Sequence, residues 1–222
     1  MSSEVETRFY FRFTFQKFPD LSFGIFGQLD NQNLVNCKLI MNNVYNTNPA
    51  DFNGVTPLHI ASSNGHFNVC QHIIDNVDNK NPEDINGITP LDIAASKGYF
   101  QICKLIVDNV DNKNPANING ATPLHTAANY GHFEICKLIV DNVDGNAKNP
   151  ADINGYTPLH IAAHNGHFEI CQLIVDNVDD KNPANNQGIT PFQLAVNNGH
   201  DTYLQIFSSE YLLKMEKENI PL

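Results

Sequence analysis

One repeating beat constrains this chain more than any local feature does. Thr-Pro-Leu begins at Thr56, Thr89, Thr122 and Thr157, and Thr-Pro-Phe at Thr190, in steps of 33, 33, 35 and 33 residues. A glycine stands nine residues after each threonine, at Gly65, Gly98, Gly131, Gly166 and Gly199, and four of the five precede a histidine. Cys37, Cys70, Cys103, Cys136 and Cys171 keep the same register. A period of this length marks units too small to bury their apolar faces alone, which must stack on one another. The one long step traces to two extra residues within Asp144-Gly145-Asn146-Ala147-Lys148. A loop lengthens in this way at an entropic cost of only about a few tenths of a kcal/mol.

Each unit has a physical parse. The threonine hydroxyl suits a helix N-cap, and the proline after it occupies the first helical position, where no N–H is needed. Leu58-His59-Ile60-Ala61 then starts a short first helix, and Gly65 ends it in the left-handed conformation. A second helix follows, as in Phe133-Glu134-Ile135-Cys136-Lys137-Leu138-Ile139-Val140. Its Ile135, Cys136, Ile139 and Val140 share one side, with Glu134, Lys137 and Asp141 opposite. Asp-Ile-Asn-Gly before the threonine has the chemistry of a tight turn.

Asn53-Gly54-Val55-Thr56-Pro57-Leu58-His59-Ile60-Ala61 and Gly65-His66-Phe67, with their copies down the chain, resemble the ankyrin repeat. The resemblance implies an all-α repeat solenoid of stacked helix-turn-helix units, joined by β-turn or hairpin loops. The units fall at residues 53–85, 86–118, 119–153, 154–186 and 187–219, the third carrying the insertion and the last acting as a C-terminal cap. Residues 23–52 form a degenerate N-terminal cap, in which Cys37-Lys38-Leu39-Ile40 matches a second helix without its Thr-Pro start. Thr202–Ser209 is expected to be the last second helix. Two departures stand out. The histidine after Thr-Pro-Leu is Asp92 in one unit and Gln193 in another, which alters the side-chain bond expected there. Where the family closes its second helix with glycine, this chain has Val77, Val110, Val143 and Val178, preceded by Asn76, Asn109, Asn142 and Asn177. These asparagines are expected to take a left-handed cap, or the helix to run on slightly.

Residues 1–22 lie outside the repeat. Phe9, Phe11, Phe13 and Phe15 alternate with other residues, so this arm reads either as a loose cover for the first helix or as a strand. The net charge of −11 argues against nucleic acid and anionic membrane as partners. No apolar run is long enough to span a bilayer, and Met1–Glu6 has no signal-peptide character. A cytoplasmic monomer is expected, with the nucleus also open.

The search for chemistry returns a scaffold. Cysteines recur singly, and on stacked helices roughly 8–10 Å apart they are too distant for a disulfide or a shared zinc. His59, His125 and His160 form one ladder and His66, His132, His167 and His200 another, whereas a catalytic site needs one distinct unit. The Asp-Asn-Val-Asp-Asn-Lys-Asn-Pro loops have neither the central glycine nor the terminal glutamate of a calcium site, so they read as solvated turns. Phosphate-binding, zinc-protease and nucleophile-elbow motifs are absent. The chain therefore reads as non-enzymatic, with no catalytic residue, cofactor or metal. A hydrolase site in residues 1–22 would have neither His nor Cys to work with.

Binding is the remaining function. The resemblance implies a concave face made of turn tips and first-helix ends. The turns contribute Phe52, Asn53, Val55, Ile85, Asn86, Ile88, Ile118, Asn119, Ala121, Ile153, Asn154, Tyr156, Asn186, Gln187 and Ile189. Among turn and helix-end residues the selected contacts are Phe52, Val55, Ile88, Lys97, Asn129, Tyr130, Tyr156, His164 and Asn165, with Tyr130, Tyr156 and Phe52 as aromatic anchors. Much of the acidity sits elsewhere, from Asp75 and Asp78 to Asp179 and Asp180, in the loops expected after the second helices. The expected function is a scaffold that binds a protein partner. The alternatives are an inhibitor that covers an enzyme, or the recognition part of a larger protein.

Overall fold

The computed structural model describes residues 49–200. The expectations for the arm at 1–22, for the front cap as far as residue 48 and for a helix at Thr202–Ser209 lie outside them. The chain divides into two compact units, Met1–Asp111 and Asn112–Leu222. The first contains α1 (Pro57–Asn64), α2 (Phe67–Ile74), α3 (Pro90–Lys97) and α4 (Phe100–Val107). The second contains α5 (Pro123–Tyr130), α6 (Phe133–Asp141), α7 (Pro158–Asn165), α8 (Phe168–Asn177) and α9 (Pro191–Asn197). The inserted residues form a short 3-10 helix at Gly145–Lys148. No strand occurs among the described residues, and tight turns join the repeats.

Packing follows the repeat within each unit. In the first, α1 packs on α2 and α3, while α4 packs on α3 and α2. In the second, α5 packs on α6 and α7, α7 on α8 and α9, and α6 on α8. Leu58, Leu91, Leu124, Leu159 and Phe192 hold one register position and are all buried. Each such side chain contributes about 2 kcal/mol by leaving water. Ala61, Ala94, Ala127, Ala162 and Ala195 are buried too, and their small size lets adjacent helices approach. Cys70, Cys103, Cys136 and Cys171 fill the second helices from inside.

A helix leaves its first N–H groups without internal partners, and here each has a designated acceptor. The threonine carries an extended backbone, as at Thr157 with φ −109° and ψ 164°. Its own N–H donates to the side chain three residues on: to His59, His125 and His160 Nδ1, each at 3.1 Å, to Asp92 Oδ2 at 2.9 Å and to Gln193 Oε1 at 3.0 Å. The N–H of His160, Asp92 and Gln193 returns to the threonine Oγ1, completing a capping box. Asp92 and Gln193 therefore keep the half of the histidine's bonding that caps the helix.

The second helical N–H reaches further back. Leu91, Leu124, Leu159 and Phe192 donate at 3.0 Å to the side-chain oxygens of Asn81, Asn114, Asn149 and Asn182, ten residues upstream. These are the asparagines of the recurrent Asn-Pro pairs, in loops the sequence suggests are merely solvated. They anchor each loop to the helix that follows.

In α6 and α8 the end is not the left-handed asparagine cap. Asn142 has φ −113°, and Asn177 is the last residue of α8, so that helix does run on. Asn76, Asn109, Asn142 and Asn177 cap with their side chains instead. Each Nδ2 donates to the carbonyl four residues earlier, at 2.8 Å for Asn76 and 2.9 Å for the others. The amide satisfies an orphan carbonyl, so no positive φ is needed.

Replacing Asn149 with Ala should lower the unfolding free energy by about 1–2 kcal/mol, the cost of stranding a half-buried N–H. Urea denaturation checks this, and the exposed Asn146→Ala serves as a control expected to change little.

Candidate interaction face

The turns that lead into the first helices share one construction. In the turn 152–156, Asp152 Oδ1 accepts from the N–H of Asn154 and of Tyr156, each at 2.8 Å. Asp152 N–H donates to Tyr156 O, and Gly155 N–H to Asp152 O. Gly155 sits at φ +82°, and a Cβ there would lie 2.7 Å from the Asn186 nitrogen of the next turn. Only glycine permits both this conformation and this approach.

Successive turns join through the backbone. In the first unit Ile85 N–H donates to Asn53 O at 2.9 Å. In the second, Ile153 N–H donates to Asn119 O at 3.0 Å and Asn186 N–H to Asn154 O at 3.1 Å. The capping histidines add a tie from helix to next turn: His59 Nε2 donates to Ile88 O, His125 Nε2 to Tyr156 O and His160 Nε2 to Ile189 O, at 3.0–3.1 Å. A carbonyl can only accept and the threonine N–H can only donate, so these rings carry their proton on Nε2.

This framework holds a set of apolar side chains in water. Phe52 is 83% exposed and Ile85 62% in the first unit; Ile118 is 66% exposed and Ile153 62% in the second. All four occupy the same place, just before the turn's Asn-Gly. Of the residues selected from sequence, Phe52, Lys97, Asn129, Tyr130, His164 and Asn165 are exposed. Val55, Ile88 and Tyr156 are half-buried. The Tyr156 ring meets His160 edge-on, with centroids 5.5 Å apart, so it braces the turn as well as lining the face. Tyr130 is free of such packing and stacks loosely on His132 at 6.2 Å. The selection passed over Ile85, Ile118 and Ile153. The signal was present: an isoleucine in a tight turn has no local reason to be there.

The helix-end residues are tied together. Asn165 Nδ2 donates to Asn129 O and Oδ1, at 3.1 and 3.2 Å. Asn198 Nδ2 lies 3.1 Å from His164 Nδ1, and His200 Nε2 donates to His164 O at 3.0 Å. The glycine before the helix-joining histidine has a matching purpose. A Cβ on Gly131, at φ +74°, would come within 2.7 Å of the His167 ring.

Other features are chemically quiet. Burial pushes the Cys70, Cys103 and Cys136 thiols up to about 12 and raises Cys171 as well, which leaves them protonated and unreactive at neutral pH. Beside the insertion lies a groove of about 660 Å³ that includes Asp144, Lys148, Pro150, Val178, Asp179 and Asp180. Its aspartates are exposed and solvated. Among the described residues no group of three or more His, Cys, Asp or Glu could hold a metal ion, and no helix is long and apolar enough to cross a membrane.

Comparison with known families agrees with this geometry. A family model described as ankyrin repeats, three copies, matches residues 28–116, 73–149, 108–183 and 143–215. No curated protein matches the chain. Ankyrin repeats are generally protein–protein interaction modules and typically non-enzymatic.

The capping position also sets a pH response. Burial holds His59, His125 and His160 below the usual histidine value of 6.5. Their contribution to stability is complete above 6.5 and is lost as pH falls through the lowered value. Asp92 behaves oppositely: burial raises it from 3.8 to about 6, against the pull of its Thr89 hydrogen bonds. Its contribution is complete below 3.8 and is lost as pH rises through about 6. Asp92→Asn keeps an oxygen acceptor for Thr89 and removes the charge. It should raise stability at pH 8 by on the order of 1–3 kcal/mol and change it little at pH 4. Urea unfolding across that range tests this, and equal effects at both ends would refute it.

Proposed function

The chain belongs to the ankyrin-repeat family, and from that premise we propose that it is a non-catalytic module that binds a protein partner through its turn tips and first-helix ends. The observation that carries this reading is the set of exposed apolar tips, Phe52 and Ile85 in one unit and Ile118 and Ile153 in the other. Exposed isoleucine in a hydrogen-bonded turn contributes nothing to the turn itself, and apolar side chains held rigidly in water gain free energy when a partner covers them. Rigidity helps again, because turns already tied to their neighbours lose little entropy on binding. The acidic side chains Asp75, Asp78, Asp108, Asp111, Asp141, Asp144, Asp176, Asp179 and Asp180 are all exposed and lie at or just beyond the C-terminal ends of the second helices, which leaves the tips for apolar contact. The four cysteines among the described residues are all unpaired, which suits a reducing compartment such as the cytoplasm.

Replacing Ile118 and Ile153 together with Asn reproduces what Asn186 already supplies at the same turn position. This variant should keep its melting temperature within a few degrees and lose at least tenfold in retention of the partner recovered with the unaltered chain. Quantitative affinity capture from lysate, read side by side, checks it. Retention by the variant equal to that of the unaltered chain would remove the tips from the site.

A further inference from the structure

The central turn of the second unit, at residues 152–156, has almost no backbone left to offer. The N–H groups of Ile153, Asn154, Gly155 and Tyr156 all donate within the protein. The carbonyls of Ile153, Asn154 and Tyr156 all accept, from Asn186 Nδ2, Asn186 N–H and Asp152 N–H respectively. A partner laid here as an extended strand would find no ladder to join, and its own backbone groups would lose water without replacement. Recognition must come from side chains.

Those side chains carry little charge. Across the turns 117–121, 152–156 and 185–189 the single side chain charged at neutral pH is Asp152, half-buried, with its Oδ1 committed to the turn. The helix ends add Asn129, Tyr130, His164, Asn165, Asn197 and Asn198, with no Asp, Glu, Lys or Arg. A basic segment would leave its hydration without gaining a counter-charge.

Spacing selects among the remaining partners. Ile118 and Ile153 stand on consecutive repeats, which pack at roughly 10 Å. Two turns of an α-helix rise about 10.5 Å, so residues seven apart return to one face at that interval. A helix also satisfies its own backbone, which this turn requires of whatever covers it.

We infer that the second unit takes the uncharged, apolar face of an α-helix, whose residues seven apart seat on Ile118 and Ile153. This rests on the tips being the binding face, as proposed above.

The test uses a displayed library of random 20-residue peptides selected against the full chain. Enriched peptides should carry apolar residues at helical spacing and no excess of Lys or Arg. Their affinity should change less than about threefold between 50 and 500 mM NaCl, since a charge-free contact is not screened. A proline placed mid-peptide and the paired Ile118→Asn and Ile153→Asn substitutions should each weaken binding at least tenfold. Peptides that depend on these isoleucines but are basic and salt-sensitive, or that tolerate the proline, would overturn the helix inference and leave the face intact. Failure to enrich any peptide, or enriched peptides indifferent to the isoleucine substitutions, would overturn both.

Discussion

The start of each first helix is where the repeat is made or lost. Four backbone N–H groups lack helical partners there, and proline removes one of them by chemistry. The others are met from three directions: a threonine hydroxyl, the side chain three residues on, and an asparagine ten residues upstream, as at Thr157, His160 and Asn149. The same histidine then spends its second nitrogen on the next turn, His160 reaching Ile189 O. One residue thus closes a helix end and fixes the neighbouring repeat, which accounts for the return of Thr-Pro-Leu-His in three of the five repeats.

Where that residue changes, the physics changes with it. Asp92 accepts from the Thr89 N–H and hydroxyl much as histidine accepts from its threonine, but it brings a charge into a buried place. It is raised to about 6 in consequence, while the histidines at the same position are lowered. One structural position therefore responds to pH in two opposite senses. Gln193 retains the contact with Thr190 without a charge.

The turn tips show how function can sit beside such a constraint without disturbing it. All the hydrogen bonding of the turn 152–156 runs through its backbone and Asp152, so the identity of residue 153 is free of structural duty. Asn186 stands in the corresponding place of the next turn, which illustrates that freedom. An apolar residue kept at a position the turn does not need is therefore informative about contact with something else.

The period, the helix starts, the glycine stops and the buried faces were all legible in the amino-acid order, because they rest on local rules: N-capping, left-handed glycine and helical spacing. The insertion at Asp144–Lys148 was legible by counting. What the order could not disclose was long-range pairing. Asn81, Asn114, Asn149 and Asn182 looked like solvated loop residues because their partners lie ten residues away, across a turn whose path only folding sets. Asn142 looked like a left-handed cap, since sequence identifies a residue's tolerance for a conformation and not whether a side-chain bond makes it unnecessary. Tyr156 looked like a free anchor until packing placed its ring against His160, and exposure is what set Ile118 and Ile153 apart from the other turn residues of the same face. Local sequence determined which elements form, and tertiary structure decided which of their side chains were left for a partner, because exposure depends on neighbours that no short stretch of chain contains.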